Sequence, residues 1–304
     1  MNSSYFELRK SVARLHYFLL NLLLCSSILA ASQVRAQEAP DAFLRFVEGG
    51  GRWQGRLQTA ITRYENSDGV EVELVAAVHI ADPEYYARLN DHLATRQLVL
   101  YELVAEPEQR PSPGISAGGT SLIGLLQQAA SRLLGMGFQL QHIDYTASNF
   151  RHADLNPAQL REIMRAKNET FFSMLIDLAV AQMAADKQAQ ERGQVSASLL
   201  NGRSVMLALA AEDSGRAIRY LLGRELARSG GQLLPPELEE QVTILADRNR
   251  VALSVLEQSL EDPTLRSISI FYGAAHMRGL ELGLTERMGF ERLDRRWFDA
   301  WVMQ

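Results

Sequence analysis

The sequence predicts an α/β fold: a mixed sheet formed from both ends of the chain, with a helical insertion or cap in the middle. Three observations carry this expectation. Strand-like apolar runs gather near residues 52–104 and again at 266–303. Helical periodicity dominates the stretch from about 120 to 262. Two short runs, roughly 200 residues apart, also look like copies. They are Leu74-Val75-Ala76-Ala77-Val78-His79-Ile80 and Ile270-Phe271-Tyr272-Gly273-Ala274-Ala275-His276-Met277. Each ends in a small residue, two more residues and a histidine. A histidine at the carboxyl end of a buried strand is where an open α/β sheet places its chemistry.

The elements follow in order. Arg9, Lys10 and Arg14 precede an apolar stretch from Tyr17 to Ala31, and Val34-Arg35-Ala36 then offers small residues at −3 and −1. That pattern predicts a secretory signal peptide over residues 1–36, and a periplasmic or secreted protein. Residues 37–304 then form a single α/β domain. The apolar run is short for a membrane span. Cys25 is the one cysteine and lies inside it, so the mature chain would have neither disulfide nor thiolate chemistry. The leader carries four basic groups and one acidic group; subtracting that +3 from the whole-chain −5 leaves −8. Such a charge argues against nucleic acid, or an anionic membrane surface after cleavage, as partner.

Residues 52–64 and 71–78 alternate around Asp68-Gly69 and predict a β-hairpin. Pro83 opens a helix to about Thr95, with Tyr86, Leu89 and Leu93 on one face. Gln97 to Val104 is the next strand, so 71–78 and 97–104 should run parallel across a right-handed connection. A Pro/Gly/Ser loop covers 105–120, followed by helix to about Leu134. A short strand is expected at Phe138 to Asp144. Asn156-Pro157 caps a helix expected to reach about Arg192. Further helices are expected at 215–229, 235–262 and 278–288, with strands at Arg266–Tyr272 and 290–303.

His79 and Glu102 end two strands expected to be parallel, so both should emerge at one sheet edge. His276 joins them if its strand runs the same way. Two imidazoles and a carboxylate suffice to hold a divalent cation or to run acid–base chemistry. His152 and Asp154 form a further constellation, placed on one side of an extended segment by alternation. They would supply an extra ligand or an outer partner. Tyr145 is a weaker candidate, and His92 and His142 read as ordinary surface or helix histidines. The chain shows no HExxH, Walker or GxGxxG pattern.

The segments LVAAVHIADPEYYARLNDHLATRQLVLYELVAE and ISIFYGAAHMRGLELGLTERMGF resemble the TraB/GumN family, which includes the TraB/PrgY pheromone-shutdown proteins and the TIKI proteases. The family hallmark is two Gly-x-x-His motifs, with a glutamate after the first and an arginine before the second. Gly273-Ala274-Ala275-His276 matches the second motif in full. In the first, Ala76 stands where the family has glycine. Glu102 falls at the glutamate, and Arg248 is the best match for the arginine, with Arg250 a weaker one. The resemblance covers roughly residues 50–104 and 235–300. It implies a divalent metal ion, manganese or cobalt, held by His79, His276 and Glu102. It also implies a peptide or protein substrate, as for the TIKI peptidases. Glu102 would act as base, and Arg248 would neutralise the oxyanion or orient Glu102. The same fold group includes erythromycin esterases and haem-binding lipoproteins. A non-catalytic binder of peptide or haem, and a metal-independent esterase-like hydrolase with histidine as base, are therefore the alternatives.

The leader reading predicts cleavage before Gln37. Mass spectrometry of native protein should give a mature N-terminus near that residue. An intact Met1 form recovered from membranes would overturn it.

Overall fold

The computed structural model describes residues 42–112, 135–166, 202–229 and 243–304. The expected leader, the helix before Leu134, the helix beyond Ala166 and the Pro235-Pro236 helix start lie outside the described residues. The α/β class is as expected: helices pack on a mixed sheet whose strands come from both ends of the chain.

The strands are β1 Leu44–Glu48, β2 Gly55–Glu65, β3 Glu71–Ala77, β4 Ile80–Ala81, β5 Leu98–Tyr101, β6 Gly137–Phe138, β7 Phe150–His152, β8 Ser267–Gly273 and β9 Glu291–Met303. The helices are α1 Pro83–Leu93, α2 Gln139–His142, α3 Pro157–Ala166, α4 Gly202–Leu209, α5 Ser214–Arg228, α6 Thr243–Leu260 and α7 Met277–Leu282. A 3₁₀ turn at Ala274–His276 joins β8 to α7, and a π turn, Gly283–Arg287, follows α7.

The hairpin forms as the Asp-Gly signal predicts. β2 and β3 pair antiparallel from Ile61↔Val75 to Glu65↔Glu71, and Gly69 takes φ +71° in the turn. That left-handed conformation is cheap only for glycine. β2 also pairs antiparallel with β1 and with the long β9. Beyond β3 the sheet is parallel, in the order β3-β8-β5-β7. The parallel relation of β3 and β5 is as expected, but they are not neighbours. β8, from the far end of the chain, lies between them.

Alternation along the strands serves two cores. Val72, Leu74 and Ala76 of β3, with Ile268, Ile270 and Tyr272 of β8, face Ala252, Leu253 and Leu256 of α6 and Leu280 of α7. Val75 and Ala77, with Phe271 and Tyr101, face Tyr85, Tyr86, Leu89 and Leu93 of α1. Three layers result, with the sheet in the middle. α5 covers the outer part, against β1, β2 and β9. Its start is capped by Asp213, whose carboxylate accepts the Arg216 N–H at 2.8 Å. α3 begins with a capping box in which Asn156 and Gln159 exchange side chain-to-backbone bonds at 2.8 and 2.9 Å.

One expectation needs correction. Phe138 to Asp144 is not a strand. Only Gly137–Phe138 pairs, with β4, and the chain then makes the helical turn α2. The apolar residues here pack singly against α1 and Tyr145 rather than along a ladder. β7, which the sequence reading did not expect, joins the main sheet beside β5.

Glu73 is fully buried on the α1 side. It accepts from Ser269 Oγ at 2.5 Å, lies 2.6 Å from His92 Nε2, and has Arg96 Nε at 3.4 Å. Burial alone would raise its pKa. The bonds and charges of His92, Ser269 and Arg96 outweigh that and hold the carboxyl below the ordinary value. Its folded pKa is thus below its unfolded one. The contribution is present above about pH 4 and is lost as pH falls through the folded value. Glu73→Gln should cost about 2 kcal/mol in urea unfolding at pH 7. It should also flatten the loss of stability on acidification.

Candidate active site

Four adjacent parallel strands end at one edge, and each releases one polar residue there. β3 leads to His79, β8 to His276, β5 to Glu102 and β7 to Asp154. Glu102 follows the last residue of β5 and stays tied to β8, its N–H donating to Phe271 O at 3.1 Å. Asp154 lies two residues past β7, where Ala153 N–H donates to Tyr101 O at 3.2 Å. Arg248 reaches this edge from α6.

Arg248 binds both carboxylates. Its Nε and Nη2 donate to Asp154 at 2.9 and 2.6 Å, and Nη2 also donates to Glu102 Oε1 at 2.6 Å. The Asp154 side chain is fully buried, and those of Glu102 and Arg248 are 10% and 13% exposed. Gly273 N–H donates to Glu102 Oε2 at 2.6 Å. Burial would raise the Glu102 pKa, but Arg248, His276 and His79 together hold it well below the ordinary carboxylate value. Burial would lower the Arg248 pKa, and the two carboxylates raise it instead. Glu102 and Arg248 are therefore both charged at neutral pH.

The two histidines bracket this network unequally. His276 is 3% exposed. Its Nε2 lies 3.4 Å from Arg248 Nη1 and 3.6 Å from Glu102 Oε1. Its ring also meets Tyr272 edge-on at 5.2 Å. His79 is solvent-exposed. A Cβ built on Gly273 would stand 3.2 Å from Glu102 Oε2 and 3.8 Å from His79 Nε2. Glycine there keeps open the space shared by the carboxylate and that imidazole. The copied motifs thus diverge in conformation. After β8 the chain winds into a 3₁₀ turn and buries its histidine, whereas after β3 it continues to β4 and leaves its histidine outside.

Of the expected site residues, His79, His276, Glu102, Arg248 and Asp154 come together. His152 parts from Asp154. β7 ends at His152, so the alternation that paired the two lapses there. His152 Nε2 instead lies 2.6 Å from Leu103 O, with its ring against Tyr101. Arg250 is exposed and pairs with Asp247. His92 serves the Glu73 cluster, and His142 stacks on Tyr86. The sequence reading missed two amides. Gln139 Oε1 meets His79 Nδ1 at 3.0 Å, and Asn249 Oδ1 meets His276 Nδ1 at 2.6 Å. Asn249 had a signal, being next to Arg248 on the helix. Gln139 had none, because its partner is 60 residues away.

The divalent ion that the resemblance implies would draw on His79 Nε2, His276 Nε2 and Glu102. Glu102 is already neutralised by a guanidinium at 2.6 Å, and Asp154 is held by the same group on both oxygens. A dication on Glu102 would sit against that fixed positive charge. The donor set, as arranged, fits acid–base chemistry better than cation binding. Comparison with family models, curated proteins and solved structures finds no match. The TraB/GumN resemblance therefore stands on its motif residues.

Arg248→Met should cost about 3–5 kcal/mol at pH 7, because it leaves two buried carboxylates uncompensated. The sign of the pH dependence should also change. With Arg248, Glu102 titrates below its unfolded pKa and stabilises the fold above that value. Without it, burial raises the folded pKa, so the variant should regain stability as pH falls from 7 to 5. Chemical unfolding of both proteins across that range checks the reversal.

Proposed function

We propose that this chain is an exported hydrolase acting on a peptide or ester carbonyl, with His79 as general base. The observation that supports this reading is the solvent-facing His79 imidazole beside a buried, hydrogen-bonded Glu102–Arg248–Asp154 network. Glu102 is a poor base near neutrality, because its pKa is held far below the working pH. An imidazole is matched to that range.

In this reading His79 Nε2 takes a proton from water as the water oxygen bonds to the carbonyl carbon. The carbonyl π pair moves onto its oxygen. Arg248 Nη1, which approaches His276 Nε2 at 3.4 Å, faces that developing charge. The imidazolium on His79 is stabilised by the neighbouring Glu102 carboxylate. The intermediate then expels the amine or alkoxide, which takes the proton back from His79. His276, buried and accepting from Arg248, steadies the guanidinium.

A second reading keeps the divalent ion, held by His79, His276 and Glu102 and acting as a Lewis acid on the carbonyl. Its support is that neither imidazole spends its Nε2 on its amide partner.

Protein purified without chelators or a histidine tag should hydrolyse members of a panel of fluorogenic esters and peptides. His79→Ala should lower kcat/KM by about 10²–10⁴. Stability should stay within about 0.5 kcal/mol, since the side chain is exposed. Chelators should have no effect. Loss on chelation with rescue by manganese or cobalt would replace this reading with the second. Absence of hydrolysis across the panel, with peptide or haem bound instead, would replace both with a binding protein.

A further inference from the structure

We propose that Asn249 and Gln139 are positioning residues that hold the proton of both site imidazoles on Nδ1. Each Nε2 then presents a lone pair toward the same sheet edge. The inference takes its purpose from the hydrolase reading, but its test does not.

The His276 side is determined by elimination. Asn249 Nδ2 approaches the backbone carbonyl of His276 at 3.3 Å. A carbonyl oxygen only accepts, so the amide nitrogen must be the group facing it. Asn249 Oδ1 is then the group facing His276 Nδ1 at 2.6 Å, and an amide oxygen only accepts too. Nδ1 must carry the proton. Arg248 Nη1 faces the other ring nitrogen, which therefore receives rather than donates. The fold makes room for this amide at one place. A Cβ on Gly279 of α7 would lie 2.4 Å from Asn249 Nδ2. Glycine at that position lets α7 close over the side chain.

On the His79 side the orientation of the amide is read from the structure directly, since its other partner is a hydroxyl that can donate or accept. Gln139 Nε2 donates to Tyr145 Oη at 2.8 Å, which turns Oε1 toward His79 Nδ1 at 3.0 Å. The β4–β6 pair holds this geometry, and Gln139 N–H also donates to His79 O at 2.9 Å. Gln139 and Tyr145 are both buried. Both partners are amides rather than carboxylates. An amide orients the ring without favouring its charged form. A free imidazole prefers the proton on Nε2, which would aim a donor at the site. The two amides reverse that preference where a base or a ligand needs a lone pair.

The test uses the full chain with ¹⁵N-labelled histidine. Long-range ¹H–¹⁵N correlations at neutral pH read the tautomer of each ring, with assignments from single histidine replacements. Both His79 and His276 should show Nδ1–H. Gln139→Met should lose that signature at His79 alone. Asn249→Leu should lose it at His276 alone. Gly279→Ala touches neither ring and should act like Asn249→Leu, so a poorly folding Asn249 variant leaves the question decidable. Either ring found as Nε2–H in the wild type would overturn the assignment. So would folded variants whose tautomers are unchanged. Nδ1–H rings that shift as expected in a protein that hydrolyses no probe would uphold the assignment and sink the hydrolase reading.

Discussion

One guanidinium organises the carboxyl edge of the sheet. Glu102 and Asp154 leave neighbouring strands and are buried side by side, where two unit charges 4 Å apart cost about 4 kcal/mol even at an effective dielectric of 20. Arg248 removes that cost by bonding to both at once. Its planar fork matches a carboxylate on two adjacent nitrogens, which a lysine could not do. To deliver the fork, α6 must cross the edge of the parallel strands. That crossing places Asn249 behind His276 and aligns α7 against α6, so the placement of several side chains follows from one ionic requirement.

The parallel order β3-β8-β5-β7 makes such convergence possible. All four strands point the same way, so whatever follows each of them arrives at the same edge. The residues come from positions spread from 79 to 276, yet neighbouring strands bring them into hydrogen-bond range. The interior strands are apolar on both faces, as a sheet covered by two helical layers requires. Glu102 and Asp154 sit where strands run out; Glu73, inside β3, is instead held by His92 and Arg96 from the α1 side.

Much of this was legible in the sequence where local rules govern. The Asp68-Gly69 turn, the Pro83 helix start and the apolar strands were set by residues adjacent in the chain. The histidines and Glu102 were legible because each ends a run of clear pattern. What stayed hidden depended on long-range pairing. No local signal says that β8 inserts between β3 and β5. The segment at Phe138 looked like a strand because its apolar residues are close together, but it has only two residues of partner in β4. The separation of His152 from Asp154 turned on where β7 stops, and strand ends are the least constrained part of a pattern. Gln139 could not be matched to His79 without knowing that β4 and β6 meet.

The position of β8 has a consequence for how the polypeptide acquires its structure. β3 and β5 share no ladder with each other; each is completed only by β8. The residues before Ser267 can therefore form the β2–β3 hairpin and the β5–β7 pair, but they cannot join those pieces into one sheet. The central strand is synthesised long after β3 and β5, and β9, which flanks β2 along its length, comes later still. Contacts of such long sequence separation make for slow folding, because loop closure must come before the contacts reward it. A chain translated at ribosomal speed would thus emerge with its sheet in two unjoined parts, and the final structure would wait for release of the carboxyl-terminal segment.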